Sequence, residues 1–211
     1  MVSILGQLTE KSWLPNASAD DENTVPSMAK EKVGLRVFLA SVTVLFTLIA
    51  ISYTGRMTLP DWRSVPYPGL LWVNTVILIL SSVALQWART AARDDRIRNV
   101  KTGLLVGGAL SLVFLLGQFW VSLQLADLGY FAASNPANAF FYMITGVHAV
   151  HLTGGLVAWI RTSLRVWRGS DAARVALSVE LCSIYWHFLL VVWLVLFVMM
   201  VTTEFEGVAW F

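Results

Sequence analysis

Five stretches of this chain are apolar for about twenty residues at a time, and none of them contains an aspartate or glutamate. They run from about Val33 to Tyr53, Gly69 to Ala88, Gly103 to Ala126, Ala139 to Ile160 and Leu181 to Val201. A helix needs about 20 apolar residues to cross the hydrocarbon of a bilayer. Lipid offers no hydrogen bonds to the backbone, so a spanning segment must satisfy its own amides as a helix or join a closed barrel. The stretches are continuous rather than alternating, which predicts helices. The composition agrees: 57% of residues are hydrophobic and 13% charged, too few charges to cover a water-soluble surface. The expected fold is all-α, an integral membrane bundle of five transmembrane helices over residues 33–203, with a polar tail at 1–32 and a short C-terminal end at 204–211.

The connections carry opposite chemistry. Residues 54–68 hold Pro60, Pro66 and Pro68 with Trp62 and Tyr67, suited to a helix stop at the headgroup layer. Residues 89–102 and 161–179 hold most of the loop arginines, and residues 127–138 hold only Asp127 before a Ser-Asn-Pro turn. Of the 15 lysines and arginines, only Arg56 and Arg63 fall on the side away from the N-terminus. Cytoplasmic loops carry the excess of Lys and Arg, so the N-terminus is expected in the cytoplasm and the C-terminus in the periplasm of a bacterial inner membrane. The tail lacks the basic start, apolar run and cleavage site of a secretory signal; Trp13 and Leu14 are its only features suited to docking. Trp72, Trp87 and Trp210 suit interfacial anchoring. The basic residues are scattered among loops, which argues against a nucleic-acid partner, and the short basic loops favour anionic lipid headgroups.

Polar residues at depth need partners. In the second stretch Asn74 and Ser81 are seven apart, as are Thr75 and Ser82, so they share a face that should look at protein. Gln118, with Ser122 and Gln124, does the same for the third, whose Gly103, Gly107, Gly108 and Ser111 admit a close neighbour. His148 and His151 lie on one side of the fourth. His187 lies on the fifth, seven residues after Glu180. These four form a candidate structural polar cluster joining the last two helices. Two other readings of the histidines stay open: a haem held between His151 and His187, at similar depth, as in a small b-type membrane cytochrome, or a zinc or copper site from all three. Cys182 is the only cysteine, so no thiolate metal site or internal disulfide arises from sulfur. No phosphate loop, paired buried carboxylates or nucleophile triad is present, and no internal repeat or broken helix suggests a transporter.

The runs FYMITGVHAVHLTGG (Phe141 to Gly155) and ELCSIYWHFLLVVWLVLF (Glu180 to Phe197) resemble two helices of the haem-copper oxidase (cytochrome c oxidase) subunit III family. Thr145, Gly146, His148 and His151 match one motif, and Tyr185, Trp186, His187 and Trp193 the other. Leu70 to Ala88 and the run Phe38 to Ser41 are similar to two earlier helices of the family. The resemblance covers residues 33 to 203. It implies a non-catalytic, five-helix subunit with a cleft between helices 1–2 and helices 3–5. It implies no catalytic residue, cofactor or metal in this chain, with haem and copper held by partner subunits and phospholipid bound in the cleft. The implied partners are subunit I, which it stabilises, and subunit II, in a complex coupling aerobic electron transport to proton pumping. An accessory subunit of a nitric oxide reductase shares the fold and stands as the alternative. Where the family often has carboxylates, this chain has Val42 and Leu190, so a proton relay through this subunit is not implied.

Overall fold

The computed structural model describes residues 27–63, 65, 68–169 and 171–208. Most of the polar N-terminal tail, with Trp13 and Leu14, lies outside these residues, as do Pro66, Tyr67 and Trp210. Five helices follow one another: α1 (Ser27–Met57), α2 (Leu70–Arg93), α3 (Ile97–Asp127), α4 (Pro136–Trp167) and α5 (Ala172–Val208). Each is long and apolar enough to cross a membrane. By length and composition these five helices are those of a multi-pass membrane protein.

The helices overrun the apolar stretches at their polar ends. α1 already starts at Ser27, inside the segment read as tail. Hydropathy marks only the part in lipid, whereas Lys, Arg, Gln and Glu are good helix formers that carry the helix on into the headgroups. The ends have local causes. Asn135 caps α4, its side-chain oxygen accepting the Ala137 N–H at 3.1 Å, and Pro136 fills the first helical position. After α3, Gly129 takes φ +87°, and the Tyr130 N–H bonds back to the Leu125 carbonyl at 2.9 Å. Asp95 takes φ 53° in the tight turn between α2 and α3, a conformation Asp tolerates better than most residues.

The centre of the bundle is α2, α3 and α5, with α4 against α3 and α5. α2 and α3 approach most closely. A Cβ added at Gly103 would lie 2.8 Å from Ala88 Cβ, and one at Gly107 would lie 2.7 Å from Leu85 Cγ. Small residues bring helix backbones together where lipid supplies no hydrophobic drive. The outer surface is apolar instead of polar: Val37, Leu116 and Val150 are 63%, 69% and 71% exposed.

One expectation is corrected. A cleft dividing helices 1–2 from 3–5 requires α1 and α2 to pair, yet among the described residues α1 touches only α4 and α5. The glycines of α3 and the polar face of α2 draw α2 into the central group. The hydroxyls of Thr43, Thr47 and Ser52 bond back to carbonyls of their own helix at 2.8 Å each instead of reaching a neighbour. Two grooves lie along α1 instead. One of about 450 Å³ opens between α1 and α5. Another of about 380 Å³ opens between α1, α4 and α5 at the basic end.

Candidate functional site

The polar residues of α2 form a ladder down its length, each rung reaching α3 or α5. The seven-residue spacing keeps the rungs on one face because two helical turns are close to seven residues. At the top, the Asn74 amide donates to Gln118 Oε1 at 3.0 Å. Gly117 makes the space for it: a Cβ there would sit 2.1 Å from Asn74 Oδ1. Beside it, the Trp193 indole N–H donates to the Thr75 hydroxyl at 3.1 Å, which donates onward to the Leu71 carbonyl at 2.9 Å.

One step down, the Ser81 and Ser111 hydroxyls are 2.7 Å apart, and each lies 2.8 Å from the Gly107 carbonyl. The Trp186 indole N–H donates to Ser111 Oγ at 2.9 Å, so three helices meet at one buried serine pair. Lower still, Ser82 Oγ lies 2.7 Å from His187 Nδ1, and His187 Nε2 lies 3.1 Å from Gln86 Oε1. A neutral imidazole with its proton on Nε2 satisfies both contacts, accepting from Ser82 and donating to Gln86. At the basic end, Glu180 faces Arg89 at 3.0 Å and Lys32 at 2.9 Å. Thr75, Ser82 and Arg89 are thus successive members of one seven-residue series.

The four residues read as a single cluster are therefore distributed. His187 and Glu180 tie α5 to α2 rather than to α4. His148 is buried on α4 among Phe46, Phe114 and Trp193, at ring-centroid distances of 6.4, 6.0 and 5.1 Å. Neither of its ring nitrogens has a hydrogen-bond partner. His151 Nδ1 lies 2.8 Å from the carbonyl of Val147 in its own helix, and its ring faces Phe46 of α1 at 5.3 Å. α4 and α5 are tied instead by Tyr185, whose hydroxyl donates to the His151 carbonyl at 2.8 Å, and by Arg165, which donates to the Ser178 hydroxyl at 2.7 Å.

This arrangement bears on the haem reading. Tyr185 and His187 are two residues apart, about 200° around the helix, so α5 shows Tyr185 to His151 and turns His187 the other way, to α2. A metal bridging His151 and His187 would need α5 rotated by about half a turn. No group of three His, Cys, Asp or Glu side chains gathers to hold a metal among the described residues. Cys182 is buried and free.

Several members of this framework carry signals that the sequence reading passed over. Gln86 lies four residues after Ser82 and three before Arg89, on the same α2 face. Gly117 adjoins a buried Gln. Trp159 donates to the Leu104 carbonyl at 2.8 Å over Gly108, and Lys32 lies in a segment read as tail. Val42 is buried in the core and Leu190 packs against it, so apolar side chains occupy both positions where the resemblance suggested acids.

Comparisons with known proteins agree with one another. A sequence profile of the family described as cytochrome c oxidase subunit III matches residues 14–203. A cytochrome c oxidase subunit 3 of Corynebacterium diphtheriae is 31% identical over 176 residues, spanning 79% of this chain and 84% of the relative. That of Thermostichus vulcanus is 31% identical over 176 residues, spanning 80% and 85%. A probable cytochrome c oxidase subunit 3 of Mycobacterium bovis is 31% identical over 170 residues, spanning 78% and 84%. Neither the nitric oxide reductase alternative nor the b-type cytochrome gains support from these matches. By its profile match, its relatives and its five membrane-length helices, the chain belongs to the cytochrome c oxidase subunit III family.

Proposed function

We propose that this chain is the non-catalytic subunit III of a terminal haem-copper oxidase, packed on subunit I in a complex that also holds subunit II. In this reading haem and copper sit in the partner subunits, and this chain steadies subunit I during aerobic electron transport coupled to proton pumping. One observation carries it beyond the family match: the polar side chains of α2 at depth are engaged with neighbouring helices, as with Ser82–His187–Gln86, and no acid lies within the apolar stretches. A framework of that kind holds helices in place, with its hydroxyls, amides and imidazole engaged across helix contacts. His148, His151, His187 and Glu180 are structural residues here, as are the α2 rungs and Gln118.

The basic residues gather at one end of the bundle, where Lys32 of α1, Arg89 of α2 and Glu180 of α5 meet. That supports an N-terminus in the cytoplasm and a bacterial inner membrane. The groove of about 380 Å³ at the same end is lined by Phe38, Val157 and Leu181, with Arg161 and Arg165 among its walls. An acyl chain fits the apolar wall and a lipid phosphate fits the arginines, which supports a bound phospholipid.

Extraction from the native membrane in mild detergent, followed by affinity purification on this chain and mass spectrometry, tests the reading. A haem-copper subunit I should co-purify, with its visible absorption. Recovery of this chain as a stable, partner-free species, or with its own haem, overturns it.

A further inference from the structure

On the other side of α5 from that groove, a smaller concavity of about 180 Å³ lies between α1, α2 and α5. Lys32, Arg89, Arg93 and Glu180 line it, over a floor that includes Leu177. Glu180 approaches Lys32 at 2.9 Å, Arg89 at 3.0 Å and Arg93 at 3.9 Å. One carboxylate balances one of these three cations, so two positive charges remain in a recess with an apolar base.

Donors remain as well. A lysine and two arginines offer many more N–H groups than two carboxylate oxygens accept. Arg89 Nε is buried with no hydrogen-bond partner. Arg93 is held loosely, with its side chain 64% exposed. Planar guanidinium groups beside an ammonium match the oxygens of a phosphate, which takes bidentate contacts. The recess lies where a helix end meets the headgroup layer, and basic recesses between helices there recognise anionic headgroups.

We propose that this recess binds a phosphate group through Lys32, Arg89 and Arg93, with Glu180 as the internal anion that holds the three cations together and limits the affinity. The phosphate comes from an anionic phospholipid or from solution; the chemistry is shared. Such a ligand would also join α1 to α2, whose backbones do not approach each other among the described residues. The site is separate from the Arg161 and Arg165 groove and does not depend on the oxidase reading.

Native mass spectrometry of the delipidated full chain, titrated with dioleoylphosphatidylglycerol, its choline analogue or inorganic phosphate, tests the site. An Arg161→Gln/Arg165→Gln background removes the other groove's contribution. At about 1 kcal/mol per basic residue near the surface, Arg93→Gln should weaken phosphatidylglycerol binding about 5-fold and Lys32→Gln/Arg93→Gln about 25-fold. Glu180→Gln should tighten it several-fold, which a merely structural ion pair would not do. Phosphatidylglycerol binding that survives excess inorganic phosphate assigns the lipid as ligand. Displacement by phosphate, with phosphate's own binding sensitive to the same substitutions, assigns the free ion. Arg93→Gln removes an exposed side chain with a loose partner and should fold normally, so it decides the matter even if the other variants do not fold. Unchanged affinity in Arg93→Gln, or weaker binding in a folded Glu180→Gln, overturns the proposal.

Discussion

At Gly117 a single missing methyl group sets the position of a buried amide. A Cβ there would lie 2.1 Å from Asn74 Oδ1 and 2.7 Å from its Cγ, so Gly117→Ala must push Asn74 off Gln118. Overpacking of this kind costs about 1–3 kcal/mol. Removing the Asn74 side chain first empties the space. We expect Gly117→Ala to lower the melting temperature in detergent clearly in the wild-type background and much less in Asn74→Ala, a coupling that a double-mutant cycle reads directly. Independent, additive effects would contradict the contact. His187 makes a related case. His187→Ala removes both its tie to Ser82 and its tie to Gln86, worth about 1–2 kcal/mol together at the small values found between membrane helices. The expected result is weaker retention of the subunit in the purified complex with the haem spectrum of that complex unchanged; a shifted or lost haem band would show that His187 has a redox role. At this scale the sequence was half legible. Asn74, Ser81, Ser82 and Gln118 stand out because polar groups in lipid must have partners. Gly117, Gln86 and Trp159 do not stand out, because their importance comes from what the neighbouring helix places opposite them.

Helix by helix, the uneven feature is α1. It rests on α4 and α5, with Phe46 against both histidines of α4 and Phe38 against Tyr185, and it reaches α2 through the Lys32–Glu180–Arg89 bridge. α2 by contrast holds α3 through three close glycines, Gly103, Gly107 and Gly117, and several buried hydrogen bonds. Segments with fewer buried contacts open at lower free energy. Hydrogen exchange in detergent should therefore show α1 exchanging faster than α2 and α3; equal protection would refute this ranking. The connection after α1 carries a pH dependence. Asp61 pairs with Arg56, and that guanidinium holds its carboxyl below the usual range. A depressed acid contributes order that is complete above its unfolded value, about 3.9, and fades as the pH falls through the lowered folded one. Amide protection around residues 56–61, taken relative to the intrinsic exchange rate at each pH, should fall in that acidic window, and Asp61→Asn should remove the dependence. The number and type of the elements were legible from hydropathy alone. Their neighbours were not, since a membrane helix is apolar on the face that meets lipid as well as on the face that meets protein, and periodicity carries little information about which is which.

Across the whole molecule, the bundle has one end rich in arginine and one nearly free of it, and the helices cannot be turned over singly. The two ends are fixed relative to each other by contacts at both. Asn135 bonds the Arg63 backbone at the end away from the basic residues, and Glu180 binds its cations at the other. A single topological fact therefore decides the placement of every connection: whether the basic end faces the cytoplasm, as proposed above from the distribution of Lys and Arg. The chain is suited to measuring this, because its one cysteine, Cys182, is 3% exposed and should not react with a bulky, membrane-impermeant maleimide. Asp61→Cys places a thiol in the connection between α1 and α2, where the native side chain is 60% exposed. Arg96→Cys places one between α2 and α3, where it is 66% exposed. In spheroplasts of a bacterial host the first should label and the second should not until the membrane is opened with detergent, when both label. Labelling of Arg96→Cys in intact spheroplasts would invert the molecule. The phosphate recess and the arginine-lined groove would then face the periplasmic leaflet, and the reading of how this subunit sits beside its partners would have to be reversed with them.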